Sequence, residues 1–302
     1  MRKPGNDTTA ILQIFVAGVL WGLVGPLVKL MELNGSTAAA TSFIRMGFAL
    51  LIMAAITVAK YGVRSFRVDG KTLIACAVLG AVSNGLYNIV YTMAIANAGI
   101  AVSAVLLNTA PIFTTIASVV LFREGVSLLK VLALAVNIVG ASLAATGGRF
   151  DLASVSLLGI ACGIASGFTY GIAAVISRMA GGGTSSYVIS TYSFLFAFIT
   201  IGALFCPWQD AQAFNLPVLG YGFLLALVPT ALAYLLYYKG VLKMAETSKV
   251  PVIASVEMVA TAAVSVAFFG EVLSPAALLG IVLVIASIAL ISAKPRAAKH
   301  RA

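Results

Sequence analysis

The chain has 302 residues, of which 61% are hydrophobic and only 9% charged, against about 25% charged in an ordinary soluble domain. So few charges cannot cover a water-facing surface, which excludes a soluble globular protein and predicts an all-helical membrane protein. The formal net charge of +10 could suggest nucleic acid as partner, but the basic residues are spread over short connectors rather than one face, which excludes it.

A helix that spans the hydrocarbon core needs about 20 mostly apolar residues. Arg2 and Lys3 precede an apolar run that continues to about residue 28 without an A-x-A-like cleavage site, so the run reads as a first span and not as a signal peptide. Hydropathy and breaker residues predict ten spans in all: 11–30, 36–59, 72–96, 100–121, 127–146, 156–178, 186–206, 218–240, 248–269 and 275–293. The termini, 1–9 and 294–302, read as disordered.

Basic residues orient these spans. With the N-terminus in the cytoplasm, every Lys and Arg falls on inner segments except Lys29 and Arg149 on outer connectors and Arg45 inside a span. That asymmetry follows the positive-inside rule and predicts cytoplasmic N- and C-termini.

The chain also repeats itself. A shift of 147 positions brings Tyr87 onto Tyr234, Tyr91 onto Tyr238, and Phe122, Glu124 and Ser127 onto Phe269, Glu271 and Ser274. A shift of 149 brings Trp21, Gly22 and Lys29 onto Tyr170, Gly171 and Arg178. Each half has an odd number of spans, so the second copy enters the membrane from the opposite side. The expected fold is ten transmembrane helices as two inverted five-helix repeats, 1–148 and 149–302, around a central cavity.

Polar residues at membrane depth are the candidate site. Asn84, Tyr87, Asn88 and Tyr91 recur at i, i+3, i+4 and i+7 on the third span, and Thr230, Tyr234, Tyr237 and Tyr238 nearly match them on the eighth. Such faces turn away from lipid. They either line an aromatic cavity that orients a solute or tie helices together by hydrogen bonds.

The fourth span carries Asn108, Pro111, Thr115 and Ser118 along one stripe, and the ninth carries Ser255, Met258, Ala262 and Ser265. Pro111 removes a backbone donor, so it either opens a carbonyl to a ligand or only kinks the helix. Arg45 and Glu257 are charges deep in the membrane; they either pair with each other, as structure or otherwise, or contact the carboxylate and ammonium of a zwitterion. Asn137 reads as a packing hydrogen bond, and Glu124 and Glu271 as dipole or capping residues for the helices just after them. Gly159, Gly163, Gly167 and Gly171, with Gly18 and Gly22, form close-packing faces.

Metal and redox chemistry find little support. Cys76, Cys162 and Cys206 are isolated, the sole histidine is His300 in the basic tail, and no cofactor is expected. A hydrolase would need a nucleophile with a base, and a receptor would normally bring a soluble domain, so enzyme and receptor are the weakest readings.

Ten spans, duplicated halves, Trp21-Gly22 in the first span, Arg45 in the second and the Phe-x-Glu-x-x-Ser ending of spans four and nine resemble the EamA-type members of the drug/metabolite transporter superfamily. Within it the chain is similar to the aromatic amino acid exporters. It departs from the central Glu-Pro of many members: the fourth span has Ala110-Pro111 and the ninth Glu257-Met258.

The resemblance implies a secondary exporter of neutral amino acids, in the bacterial inner membrane, working by alternating access. Its substrate would contact Trp21, Arg45, Asn84, Tyr87, Asn88, Tyr91, Asn108, Pro111, Tyr170, Tyr234, Tyr238, Ser255, Glu257 and Met258. An exporter of organic cations, held in a tyrosine cage, is the alternative. The expected partners are a small-molecule substrate and the lipid bilayer, and the sequence leaves the oligomeric state open, a monomer included.

Overall fold

In the computed structural model, residues 7–149 and 155–292 are described, and they are helical throughout apart from short connectors. Arg2 and Lys3, part of the mid-chain connector, and the tail with Lys294, Arg296, Lys299, His300 and Arg301 lie outside the described residues. The first helix begins at Asp7, so Asp7, Thr8 and Thr9 are helical where the sequence suggested disorder.

Nine helices among the described residues are long and apolar enough to cross a membrane: Asp7–Leu33, Ala38–Tyr61, Gly70–Leu107, Leu128–Thr146, Leu157–Ala180, Ser186–Phe205, Leu216–Lys243, Thr247–Phe269 and Pro275–Ser292. The tenth expected span, the fourth, differs from its prediction. Its first part, 100–107, continues from the third span, and Ala110–Phe122 stands apart as a shorter helix.

A straight helix of 38 residues would measure roughly 57 Å, nearly twice the hydrocarbon core. The chain avoids this by turning at Gly99, whose φ of 78° and ψ of 162° are non-helical and suit glycine alone. On one side of the turn Tyr87 lies against Tyr170 of the sixth span. On the other, Leu106 lies against Gly163 of that same span. Spans three and four therefore both pack on span six.

Helix starts follow side-chain chemistry. Thr37, Asp69, Ser127, Ser156, Ser185 and Asn215 each accept a hydrogen bond from the backbone N–H three residues on. Ser274 does the same for Ala277 ahead of the last span. Each such cap satisfies a donor that the helix itself leaves unpaired.

Small residues set the packing. A β-carbon at Gly167 would stand 2.6 Å from the Thr109 hydroxyl and 2.8 Å from the Leu106 carbonyl oxygen, so span six meets span four at backbone distance. One at Gly18 would meet Val256 at 2.6 Å and the Ala254 carbonyl oxygen at 2.7 Å, so span one meets span nine the same way. Spans five and ten approach through Gly140 and Gly280. Spans two and seven stack Phe43 on Phe198 at 4.2 Å between ring centroids, with a hydroxyl contact of 3.1 Å between Thr57 and Thr191.

Adding one methyl where the neighbour is backbone forces the helices apart, at a cost of about 1–3 kcal/mol. Gly167→Ala is expected to lower the melting temperature of the detergent-solubilised protein, whereas Gly220→Ala, with nothing within 4 Å of the added carbon, leaves it unchanged.

Candidate functional site

Span four is interrupted at Asn108 (φ −66°, ψ −1°) and span nine at Ser255 (φ −64°, ψ −7°), two positions that the 147-residue shift superposes. Beyond each break a new helix starts, Ala110–Phe122 and Val256–Phe269, and neither start has a side-chain cap. Pro111 in the first turn of Ala110–Phe122 has no N–H to leave unpaired. Spans three and eight each contain a π-helical stretch, Leu79–Leu86 and Leu227–Leu232.

A cavity of about 80 Å³ lies between the two breaks, lined by Tyr87, Leu107, Asn108, Ala110, Pro111, Asn137, Tyr170, Pro251, Ala254, Ser255, Glu257 and Met258. That volume takes a few waters but falls short of the roughly 300–1,000 Å³ of small-molecule pockets. Each uncapped helix start presents partial positive charge to this space. Glu257, in the first turn of Val256–Phe269, is the only carboxyl group among the described residues that line the cavity.

Of the residues expected at a site, Tyr87, Asn108, Pro111, Tyr170, Ser255, Glu257 and Met258 line this cavity. Trp21, Tyr91 and Tyr234 stand behind that wall. Tyr91 stacks on Tyr87 at 5.7 Å, and Trp21 meets Tyr234 at 5.1 Å, as Tyr170 meets Tyr87 at 5.6 Å.

Arg45 lies beside Tyr234 and within electrostatic reach of Glu257. No ion pair within 4.0 Å joins Arg45 to Glu257 among the described residues. The Nε of Arg45, the indole N–H of Trp21 and the amide nitrogen of Asn108 are buried with no hydrogen-bond partner among the described residues.

Asn84, Asn88 and Tyr238 are placed apart from the cavity. Asn84 donates to Ser193 at 3.5 Å, Asn88 donates to the Asn84 carbonyl, and Tyr238, 1% exposed, shares a 3.2 Å hydrogen bond with Ser193. These contacts tie span three to spans seven and eight.

Asn137 has a second role that its sequence context did not reveal. It makes packing hydrogen bonds, donating to Ser255 at 2.6 Å and Ser287 at 2.9 Å. In doing so it fixes the break in span nine and lines the cavity.

A second polar centre lies at one end of the bundle. Glu124, its side chain 5% exposed, accepts from Arg178 at 2.7 Å, from the backbone N–H of Thr247 at 2.6 Å and of Ser248 at 3.1 Å, and from the Ser248 hydroxyl at 2.7 Å. Arg178 also lies 4.4 Å over the Phe122 ring and donates to Thr247. Glu124 was expected to serve the start of span five; it instead caps the first turn of span nine and latches spans four, six and nine.

Beside the latch, burial opposes ionisation of Glu246. Lys249 at 3.0 Å and Lys130 at 3.1 Å outweigh it and hold the carboxyl below its ordinary range. The stabilisation from that shift is present above the range where an unfolded carboxyl titrates and is lost as pH falls below it.

Membrane-length helices, two of them broken beside a cavity of mixed lining, define a multi-pass helical membrane protein. The model of the EamA-like transporter family matches residues 8–146 and again residues 157–293, and the chain belongs to that family, in keeping with the expected drug/metabolite transporter superfamily. An uncharacterised transporter of Archaeoglobus fulgidus is 28% identical over 275 residues, 91% of this chain and 93% of that protein. A protein of known crystal structure, 17% identical, superposes with a TM-score of 0.75 over 94% of this chain and 96% of its own, a likeness of fold.

Removing one partner of a buried ion pair leaves the other unmatched, at a cost of about 3–5 kcal/mol when both are fully desolvated. Arg178 keeps some contact with water, so Glu124→Ala is expected near the lower figure. Glu124→Gln, which keeps an oxygen for the span-nine amides, should cost less. Thermal denaturation in detergent reads both.

Proposed function

We propose that this protein is a secondary exporter of neutral amino acids, aromatic ones included, that works by alternating access. The observation that carries the reading is the pair of broken spans, whose uncapped helix starts and one unpaired carboxylate meet in a central cavity. A zwitterion matches those charges. Its carboxylate is held by the start of Ala110–Phe122 and the partnerless Asn108 amide, and its ammonium by Glu257.

Tyr87 and Tyr170, backed by Tyr91, Trp21 and Tyr234, form the walls for an apolar or aromatic side chain. Pro111, Ser255 and Met258 complete them, and Arg45 balances Glu257 between transport steps. Asn84, Asn88 and Tyr238 support this wall from behind.

The architecture belonging to this reading is two inverted five-helix copies, 1–148 and 149–302. Matched contacts support it: Trp21 on Tyr234 and Tyr170 on Tyr87, and Gly22 against Ala260 and Gly171 against Phe113. So do the two breaks and the two π-helical stretches, each at corresponding positions. The distribution of Lys and Arg supports cytoplasmic termini, and a bacterial inner membrane is the location that belongs to this reading.

The latch supports alternation between the two ends. Lys29 lies 4.4 Å over Phe269 as Arg178 lies over Phe122, yet no ion pair joins Lys29 to Glu271 among the described residues. One end is tied shut by Glu124, and under the proposed orientation it is the cytoplasmic one.

A second reading has one observation in its favour. A carboxyl group with no ion-pair partner among the described residues, in a cavity walled by the rings of Tyr87 and Tyr170, also suits an organic cation. Uptake of labelled phenylalanine into proteoliposomes, with a quaternary ammonium as competitor, separates the two. Protein-dependent phenylalanine flux that falls about tenfold or more in Glu257→Gln, through loss of about 1.4 kcal/mol or more of ammonium binding, is the expected result. Flux of the cation alone favours the second reading, and flux of neither overturns the first.

A further inference from the structure

A cluster of charges outside the cavity has no counter-ion among the described residues. Lys60 lies in the last turn of Ala38–Tyr61, Tyr187 in the first turn of Ser186–Phe205, and Lys239 near the end of Leu216–Lys243. Both ammonium groups donate to the one phenolic oxygen of Tyr187, each from 3.0 Å. Both also lie over its ring, at 4.6 and 4.5 Å from the centroid. Tyr61 meets Tyr187 at 5.4 Å, with Lys60 5.5 Å over its ring as well.

Two cations that touch the same atom are separated by no more than twice that contact distance. Lysines at a membrane surface normally extend apart into water, where each is well hydrated. These two converge. A neutral phenol and a ring face ease their repulsion without cancelling either charge.

None of the three ion pairs among the described residues involves Lys60 or Lys239. Each ammonium carries three donors, and each spends one on Tyr187 with no other partner among the described residues. The neighbouring connector adds positive charge: Arg64 lies in the turn Val63–Phe66, which Tyr192 anchors by donating to the Phe66 carbonyl at 2.7 Å.

We propose that Lys60 and Lys239, held together by Tyr187, bind a phosphate group, and that an anionic phospholipid headgroup supplies it. A phosphate offers several acceptor oxygens to two convergent ammonium groups, and its charge completes the cluster. The position names the source. The cluster closes an apolar helix whose last turns expose Ile56, Val58 and Tyr61, so its surroundings are acyl chains on one side and headgroups on the other. Basic pockets between spans at that level are where anionic headgroups bind.

The site is independent of the transport cavity, and its test does not use flux. The delipidated protein in neutral detergent is titrated with phosphatidylglycerol, phosphatidylcholine or inorganic phosphate, and binding is read by native mass spectrometry and by the shift in melting temperature. Phosphatidylglycerol is expected to bind and to raise the melting temperature, and phosphatidylcholine is not. Lys60→Gln with Lys239→Gln should weaken that binding about thirtyfold, from the loss of two surface lysine contacts, while Lys60→Arg with Lys239→Arg retains it. The arginine variant also controls for damage to the fold.

Inorganic phosphate competing as strongly as the lipid would support the anion site and assign it to the free ion. Equal binding of both lipids, or undiminished binding in the glutamine variant, would overturn the proposal.

Discussion

Lipid offers no hydrogen bonds, so any helix that breaks at membrane depth must do so where protein or water satisfies the exposed backbone. That constraint accounts for where the irregularities of this chain lie. The interruptions at Asn108 and Ser255 open on a cavity where Asn108, Asn137, Ser255 and Glu257 stand among apolar side chains, and the Asn137 amide holds one interruption through the Ser255 hydroxyl. In the π-helical stretch Leu227–Leu232, Thr230 donates to the Leu225 carbonyl at 2.8 Å, which occupies a group that Pro229, four residues on and without an N–H, cannot serve. Around this centre, regular helices pack through glycine, where side chains would hold them apart.

The spans were legible because hydropathy alone selects them. The broken fourth span was less so. Pro111 hinted at it, but nothing at Ser255 signals a break, since its nearest proline, Pro251, lies four residues earlier. The polar face of span three was legible as a face and misleading as a group. A π-helical turn inserts an extra residue into the helix and rotates the residues beyond it, so Tyr87 reaches the cavity while Asn84, inside Leu79–Leu86, reaches Ser193.

Glu124 gives the other limit. Its neighbours in sequence point to a helix start a few residues on, and its real partners are Arg178, Thr247 and Ser248. Such contacts depend on how spans four, six and nine meet, which no local pattern encodes. The result is an asymmetry between two ends that the sequence describes in similar terms: one glutamate bound by an arginine and two backbone amides, the other, Glu271, with no ion pair among the described residues.

The central claim is that the gap between the broken spans is a solute chamber reached through water. Thiol labelling tests it most directly. With Cys76, Cys162 and Cys206 replaced, a cysteine at Asn108 or Ser255 is treated with a water-soluble, membrane-impermeant reagent in intact vesicles, with and without excess phenylalanine. The account predicts labelling at both positions that phenylalanine slows and a non-substrate sugar does not. Cysteines that stay unreactive from either face of the membrane, or that label at the same rate with phenylalanine present, would contradict it.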